Sequence, residues 1–308
     1  MTKLSLHKQI EQLENRGVKF DLCNVKDAMK FLEYNTYYDK IISYSQNFPV
    51  VSENKYYKLD FAHLIELSTI DMHIRRFLMR ICLDIEHTLK IQLLRDCNNN
   101  ETLDDYNIVN SFFVSYPQVK EEIDAEYKKI TKKEFQCSYL DQIYLNYYPN
   151  FSIAQLSEIL TLGNFSLLYA FYYNKSGEFS YEKFLQPVRK IRNICAHNSC
   201  LIDSLKKSDL NQIKPNNEVK SYIGKFMGTS MKNKINTAVV HDITTVLYLF
   251  DKSVKSQRLK FHTYEDLKRL MEDRIALKSE YFKDHDNLKS CFQYFNKLVN
   301  HLYESSLQ

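Results

Sequence analysis

Glycine, proline and tryptophan are scarce in this chain of 308 residues, which has five glycines, five prolines and no tryptophan. Glycine and proline form most of the tight turns that short β-strands require. Because few such turns can form, the composition disfavours a β-sheet architecture and favours long helices. We therefore predict an all-α fold.

The sequence signals of several other protein classes are missing. No apolar run approaches the length needed to cross a bilayer, no signal peptide is recognisable, and the seven cysteines form no C-x-x-C pair. These features predict reduced thiols, a cytoplasmic location and no membrane partner. No P-loop or dinucleotide-binding fingerprint is present, and His63 and His73 lie at no known zinc spacing, so neither a cofactor nor a metal is predicted.

The charge balance permits a nucleic-acid partner without requiring one. The formal net charge is only +4, and the charged fraction of 26% is ordinary for a globular protein. A local basic patch therefore matters more than the total charge. Arg75, Arg76 and Arg80 lie in one helical segment and provide a candidate phosphate-facing edge.

The longest helical pattern runs from Lys58 to Asp96, where apolar residues recur at intervals of three and four. We predict a break near Thr69–Asp71 that divides this pattern into two helices. Near the end of the chain, residues 264–278 are predicted to form an amphipathic helix with Thr263 as its N-cap.

Composition divides the chain into three predicted regions. Residues 1–57 are an N-terminal helical region, residues 58–255 are a helical core, and residues 256–308 contain two C-terminal helices. Within the core, residues 98–150 are polar and charged and are predicted to form an insertion. The chain shows no internal repeat.

The sequence at residues 186–198 predicts a helix with two different faces. Apolar residues at helical spacing form one face, and polar residues that are successively four apart form a stripe beside it. The apolar face carries Val188, Ile191 and Cys195. The polar stripe carries Arg189, Asn193 and His197.

Arg192 and His197 have the chemistry that cleavage of a phosphodiester requires. Histidine, with an ordinary pKa of about 6.5, acts as base or acid close to neutral pH. Arginine stays charged and its planar fork matches phosphate oxygens, and Asn193 can hydrogen-bond the phosphate or orient the imidazole. Spacing alone does not single out this pair, because Arg80 and His87 form a similar one. A packed histidine at a helix end is the alternative interpretation.

Residues 191–199 read IRNICAHNS, which resembles the "iRN-x-cAH" signature of abortive-infection proteins of the AbiD/AbiF type. These proteins belong to the wider HEPN group of helical proteins, many of which are RNases. Three further blocks resemble the same family, occur in its order, and favour the Arg192–His197 pair over the other. They are Asn35–Tyr38 with Tyr44, Asp71–Leu89 with Arg75 and Glu86, and Pro149–Tyr169 with Glu158 and Gly163.

The resemblance implies a HEPN-like helical bundle with N- and C-terminal helical extensions. It also implies a metal-independent endoribonuclease that acts as a toxin or abortive-infection effector in phage defence. Arg192, Asn193 and His197 are the predicted catalytic residues. The predicted RNA-binding residues are Arg75, Arg76, Arg80, Arg189 and Lys190. The AbiF-like relatives further imply a small noncoding RNA as a regulatory partner.

Helix geometry predicts that two copies of the chain form the site. Residues five apart on an α-helix differ by about 140° in direction and by roughly 7.5 Å in height. One copy therefore does not easily place Arg192 and His197 on the same phosphate. A symmetric homodimer with the two helices facing each other supplies what one copy lacks, as the HEPN resemblance also implies.

Two other functions stay open from the sequence. One is a non-catalytic RNA-binding module of the same fold, which holds a guide or decoy RNA. The other is a toxin that a protein antitoxin neutralises. No DNA partner is predicted.

Overall fold

The computed structural model describes residues 4–51, 55–133, 138–205 and 212–307. These residues form fifteen α-helices, short 3₁₀ and π segments and three isolated β-bridges, with no β-strand among them. The predicted all-α fold is confirmed. Residues 134–137 of the predicted insertion lie outside the described residues.

The helices are α1 (Leu6–Asn15), α2 (Val25–Tyr34), α3 (Tyr38–Ser43), α4 (Phe61–Asn99), α5 (Asp105–Ser115), α6 (Pro117–Ile130), α7 (Tyr139–Tyr147), α8 (Ile153–Ile159), α9 (Leu162–Ser176), α10 (Leu185–Ala196), α11 (Asn217–Ile223), α12 (Thr229–Lys232), α13 (Ala238–Ser253), α14 (Gln257–Arg269) and α15 (Asp286–Ser306).

Helix α4 is continuous over 39 residues, so the predicted break near Thr69–Asp71 was wrong. Thr69 Oγ1 donates to the carbonyl of Ile65 (2.8 Å) inside the helix. Asp71 bonds to Arg75 one turn later (2.6 Å). Because both polar side chains have partners that a helix can supply, they do not compete with its backbone hydrogen bonds.

The chain divides into two compact units. Unit 1 comprises Met1–Cys82 and Lys190–Gln308, and unit 2 comprises Leu83–Arg189. Helix α4 therefore begins in unit 1 and ends in unit 2, and α10 returns the chain to unit 1. The three regions predicted from composition stay a prediction.

Unit 1 buries α13 along most of its length and packs α14 on α15. Val240, Val246 and Phe250 of α13 are fully buried. Helix α14 begins at Gln257, seven residues before the predicted start, because Ser256 Oγ accepts the N–H of Leu259 (3.2 Å) and caps it there.

Thr263, the predicted N-cap of that helix, is buried within α14 instead. The helix continues past Arg269 as a π-helix, Leu270–Ile275. The predicted amphipathic character of this part of the chain is present, but its first helix starts two turns earlier than the sequence indicated.

Unit 2 has a core rich in aromatic side chains. Phe112, Phe151, Phe165 and Tyr169 are buried to within 1% of full burial. In the polar 98–150 stretch, α6 packs on α5 and α7, both α5 and α7 pack on α8, and α5 also contacts α9. Ser152 begins α8 with a capping box. This stretch therefore contributes to the core of unit 2 as well as to its surface.

None of the described helices combines the length and the apolar character that crossing a membrane would require. The six cysteines among the described residues are free thiols.

Candidate functional site

Helix α10 ends in a Schellman motif, which fixes the backbone around His197. The N–H of Asn198 donates to the carbonyl of Cys195 (3.2 Å), the penultimate residue of the helix. The N–H of Ser199 reaches back to the carbonyl of Ile194 (3.0 Å). Asn198 has a φ of +53°, a left-handed conformation that asparagine adopts more readily than most residues. His197 is thus the last residue before the chain reverses, and it is exposed.

A buried arginine holds this helix end against α4. Arg75 Nε donates to Asp71 Oδ2 (2.6 Å), and Arg75 Nη1 donates to Asn198 Oδ1 (2.8 Å). Arg75 is only 6% exposed and Asp71 is fully buried. Because Asp71 balances its charge and two of its N–H donors bond within the protein, Arg75 has a positioning role here. The RNA contact predicted for Arg75 from the sequence stays a prediction.

Asp71 also anchors the segment that follows the motif. Its Oδ1 accepts the backbone N–H groups of Leu201 (2.8 Å) and Ile202 (2.9 Å). One buried carboxylate therefore bonds to Arg75 in α4 and to the chain beyond His197. These bonds fix the loop that follows His197 in the chain.

The N-terminal block around Asn35–Tyr44 supports the same loop. Lys40 Nζ donates to the backbone carbonyl of Asn198 (2.6 Å). Asn47, just after this block, donates from Nδ2 to the carbonyl of Ile202 (2.9 Å). The backbone immediately after His197 is therefore held from two sides, by α4 and by the N-terminal block.

The three predicted catalytic side chains lie in different environments. Asn193 and His197 are exposed, whereas Arg192 is half-buried. Arg192 Nη1 lies 3.5 Å from Asn193 Oδ1, at the limit of a hydrogen bond. Arg192 Nε is buried without a hydrogen-bond partner among the described residues. The guanidinium stem therefore borders the apolar face of α10, while the amide and the imidazole are open to a second molecule.

Lys190, a predicted RNA-binding residue, makes a contact inside the protein. Its Nζ donates to Asp242 Oδ2 (2.7 Å), and His241 Nδ1 lies 3.0 Å from Asp242 Oδ1. Burial alone would raise the pKa of Asp242, but the hydrogen bonds from His241 and Lys190 bring it below its usual range. The stem of Lys190 is half exposed, and its charge ties α10 to α13.

The other three predicted RNA-binding residues are exposed. Arg80 Nη2 donates to Asp266 Oδ2 (2.9 Å) at the surface. Arg189 belongs to unit 2, where its Cδ is 3.6 Å from the place a Cβ on Gly163 would occupy. Arg76 and Arg189 form no ion pair within the described part of the chain, whereas Arg80 does.

A cleft of about 640 Å³ lies beside the end of α10, within unit 1. Its lining includes Lys40, Arg75 and Arg76, together with Cys195 and Asn198. His197 is not among the residues that line this cleft, but Asn198, the next residue in the chain, is. The cationic lining favours an anionic ligand.

Within the described ranges, no group of three or more His, Cys, Asp or Glu side chains lies together as a metal site would require. His63 is buried, its Nδ1 accepts the N–H of Asp60 (3.2 Å), and desolvation lowers its pKa. Burial raises the pKa of the Cys195 thiol to about 11. Cys195 is therefore a packed, protonated thiol at neutral pH and not a nucleophile.

A comparison with protein families matches residues 30–203 to the family described as Abi-like protein. The match covers more than half of the chain. The chain belongs to the Abi-like family. Comparisons with curated proteins and with solved structures returned no match. Membership of the Abi-like family indicates a role in abortive infection.

The Abi-like match contains every hydrogen bond that fixes His197. It begins within α2 and ends at Asp203, one residue beyond the last N–H that Asp71 accepts. It therefore includes the cleft, Arg75 and all of α10. The residues that build this site therefore all lie within the matched range.

Sequence reasoning did not identify Asp71, Lys40 or Asn198 as structural parts of the site. Two of them carry a local signal. Asp71 and Arg75 have the i, i+4 spacing of a helical ion pair, and Asn198 stands where a left-handed residue ends a helix. Lys40 has no local signal, because its partner lies 158 residues away.

We expect Asp71→Asn to lower the free energy of unfolding by about 3–5 kcal/mol, because it leaves the buried Arg75 guanidinium without a counter-charge. Urea titration followed by circular dichroism measures this change. The matched control is Asp266→Asn, which breaks the exposed pair with Arg80 and should cost about 1 kcal/mol or less. Equal, small losses for both variants would show that the Asp71–Arg75 pair does not hold the site.

Proposed function

We propose that this Abi-like protein is a metal-independent endoribonuclease of the HEPN type that acts as an abortive-infection effector. The observation that supports the proposal is the exposed His197, which follows a helix fixed by Asp71, Arg75 and Asn198 beside a cationic cleft. General acid–base catalysis requires an imidazole that is open to substrate on a backbone that does not move. The surroundings of His197 meet both conditions.

In the proposed reaction a ribose 2′-oxygen attacks the neighbouring phosphorus. His197 takes the proton of the 2′-hydroxyl, the P–O5′ bond breaks, and the leaving 5′-oxygen takes a proton from the imidazolium or from water. Arg192 stabilises the negative charge of the phosphorane-like transition state, and Asn193 orients the phosphate. The products carry a 2′,3′-cyclic phosphate and a 5′-hydroxyl, so the substrate must have a 2′-hydroxyl.

The complete site is proposed to form between two copies of the chain, with Arg192 from one and His197 from the other. The two side chains point about 140° apart on one helix, and their environments differ accordingly, since Arg192 is half-buried and His197 is exposed. Asn193 and Ala196 are exposed on the same helix, and neither is bulky. This leaves room for a second α10 to approach across a two-fold axis.

The proposed resting state holds a small noncoding RNA against the cationic side chains. We expect protein purified at low salt to carry RNA, and a wash at about 1 M salt to remove it, because phosphate contacts release counterions and weaken steeply with salt. The 260/280 nm absorbance ratio and a gel of the extracted RNA measure this. Protein that carries no RNA at any salt concentration would contradict this regulation, and would leave a protein antitoxin as the alternative.

We expect His197→Ala to lower the rate of RNA cleavage by about 10²–10⁴-fold, because it removes the acid–base catalyst. The assay incubates purified protein with mixed RNA in the presence of EDTA and maps the new ends. His87→Ala is the matched control, since His87 is an exposed histidine of the second arginine–histidine pair, and we expect no change.

Cleavage that survives His197→Ala and fails with His87→Ala would reverse the assignment of the site. RNA binding without cleavage in the wild type would instead identify the non-catalytic RNA-binding module.

A further inference from the structure

The cleft beside α10 has a lining that no catalytic role explains. It lies within unit 1 and has a volume of about 640 Å³, inside the range of about 300–1,000 Å³ for pockets that hold small organic ligands. One end of it is formed by Asn198, the residue after His197. An occupant of this cleft therefore contacts the residue next to the proposed catalytic histidine.

The charged part of the lining is entirely cationic. Lys40, Arg75 and Arg76 line the cleft, and no carboxylate is among the described residues that do so. Asp71 balances the charge of Arg75, but Arg76 is exposed and has no ion pair within the described ranges. The cleft therefore has a net positive charge, which attracts phosphate.

The polar part of the lining contains a hydroxyl group that lacks a partner. Thr36 lines the cleft, and its Oγ1 is buried without a hydrogen-bond partner among the described residues. A buried hydroxyl left unpaired costs about 1–3 kcal/mol. Rotation of the Thr36 side chain about χ1 would turn this hydroxyl into the cleft, where a ligand with sugar hydroxyls or base edges removes the cost by pairing with it. Asn35, the preceding residue, adds an exposed amide to the same wall.

The lining also has an apolar part, which suits a flat ring. Phe31, Met72 and Met79 line the cleft and are half-buried. The ring of Phe31 is held by an edge-to-face contact with Phe61 at 6.4 Å. Aromatic side chains stack on nucleic-acid bases with about 1–3 kcal/mol per base, and thioethers pack well against rings.

We propose that this cleft is a nucleotide subsite, which binds the RNA nucleotide that flanks the scissile phosphate. Arg76 contacts its phosphate, Thr36 hydrogen-bonds its sugar or base, and the base lies on Phe31. The position next to His197 rests on the endoribonuclease function proposed above. The cationic, polar and apolar parts of the lining match the three chemical parts of one nucleotide.

Photo-cross-linking locates the bound nucleotide directly. The probe is an RNA hexamer with one 4-thiouridine and with 2′-O-methyl groups, which block attack on the phosphate. After irradiation with full-length protein and digestion with trypsin, we expect cross-links on the peptides 31–40, 59–75 and 77–80, which carry Phe31, Thr36, Met72 and Met79. Cross-links confined to other peptides would overturn the subsite.

Two substitutions measure the contribution of the lining to binding of the same hexamer. We expect Arg76→Gln to weaken binding about tenfold and Thr36→Val about threefold, as loss of a charged and of a neutral hydrogen bond predicts. Arg258→Gln, which removes an exposed arginine of α14 in the same unit, should weaken it less than about twofold, as one nonspecific charge does. Fluorescence anisotropy gives the affinities, and unchanged thermal midpoints show that the variants fold. Equal effects of the three substitutions would overturn the proposal.

Two further experiments are needed. The first distinguishes an RNA strand from a free nucleotide or anion as the ligand, and the second distinguishes failure of the subsite from failure of the nuclease. Competition by uridine 5′-monophosphate or by inorganic phosphate should be at least about tenfold weaker than by unlabelled hexamer, because an RNA strand adds contacts outside the cleft. Equal competition would assign the cleft to a free nucleotide or an anion.

The cross-linking is also carried out with His197→Ala protein. Cross-links in the cleft without any wild-type cleavage would keep the nucleotide site and remove the nuclease, whereas cleavage with cross-links elsewhere would do the reverse.

Discussion

The buried ion pair between Asp71 and Arg75 is the interaction on which the candidate site depends. Asp71 accepts one hydrogen bond from Arg75 and two more from the backbone N–H groups of Leu201 and Ile202. Arg75 in turn donates a hydrogen bond to Asn198. Burial of two charges carries a large desolvation cost, which only good geometry and further hydrogen bonds offset. The hydrogen bonds that offset this cost also fix the backbone on both sides of His197, and the imidazole itself stays exposed.

Local pattern predicted the helical fold and the motif helix well, because apolar spacing and the scarcity of glycine and proline are properties of short stretches. The same local pattern led to two wrong predictions, a break near Thr69–Asp71 and a helix that starts at Tyr264 with Thr263 as its N-cap. Both errors came from treating polar residues as helix ends. Thr69 bonds to its own helix, and Thr263 is buried within α14, which Ser256 already caps.

The environment of the cationic residues could not be predicted, because their partners are distant in sequence. Arg75 and Arg76 are neighbours, yet a turn of about 100° between successive helical residues buries one and exposes the other. Arg75 meets Asn198, 123 residues away, and Lys190 meets Asp242, 52 residues away. The catalytic roles of Arg192, Asn193 and His197 stay a prediction, and the structure adds the frame around His197.

The central claim is that Arg192 of one copy and His197 of another act on one phosphate. The most direct measurement mixes inactive Arg192→Ala and His197→Ala proteins under conditions that allow subunit exchange, and follows RNA cleavage. Random exchange makes half of the dimers mixed, and each mixed dimer has one complete site out of two. The account therefore predicts recovery to about a quarter of the wild-type rate. A mixture as inactive as the two separate proteins would contradict it.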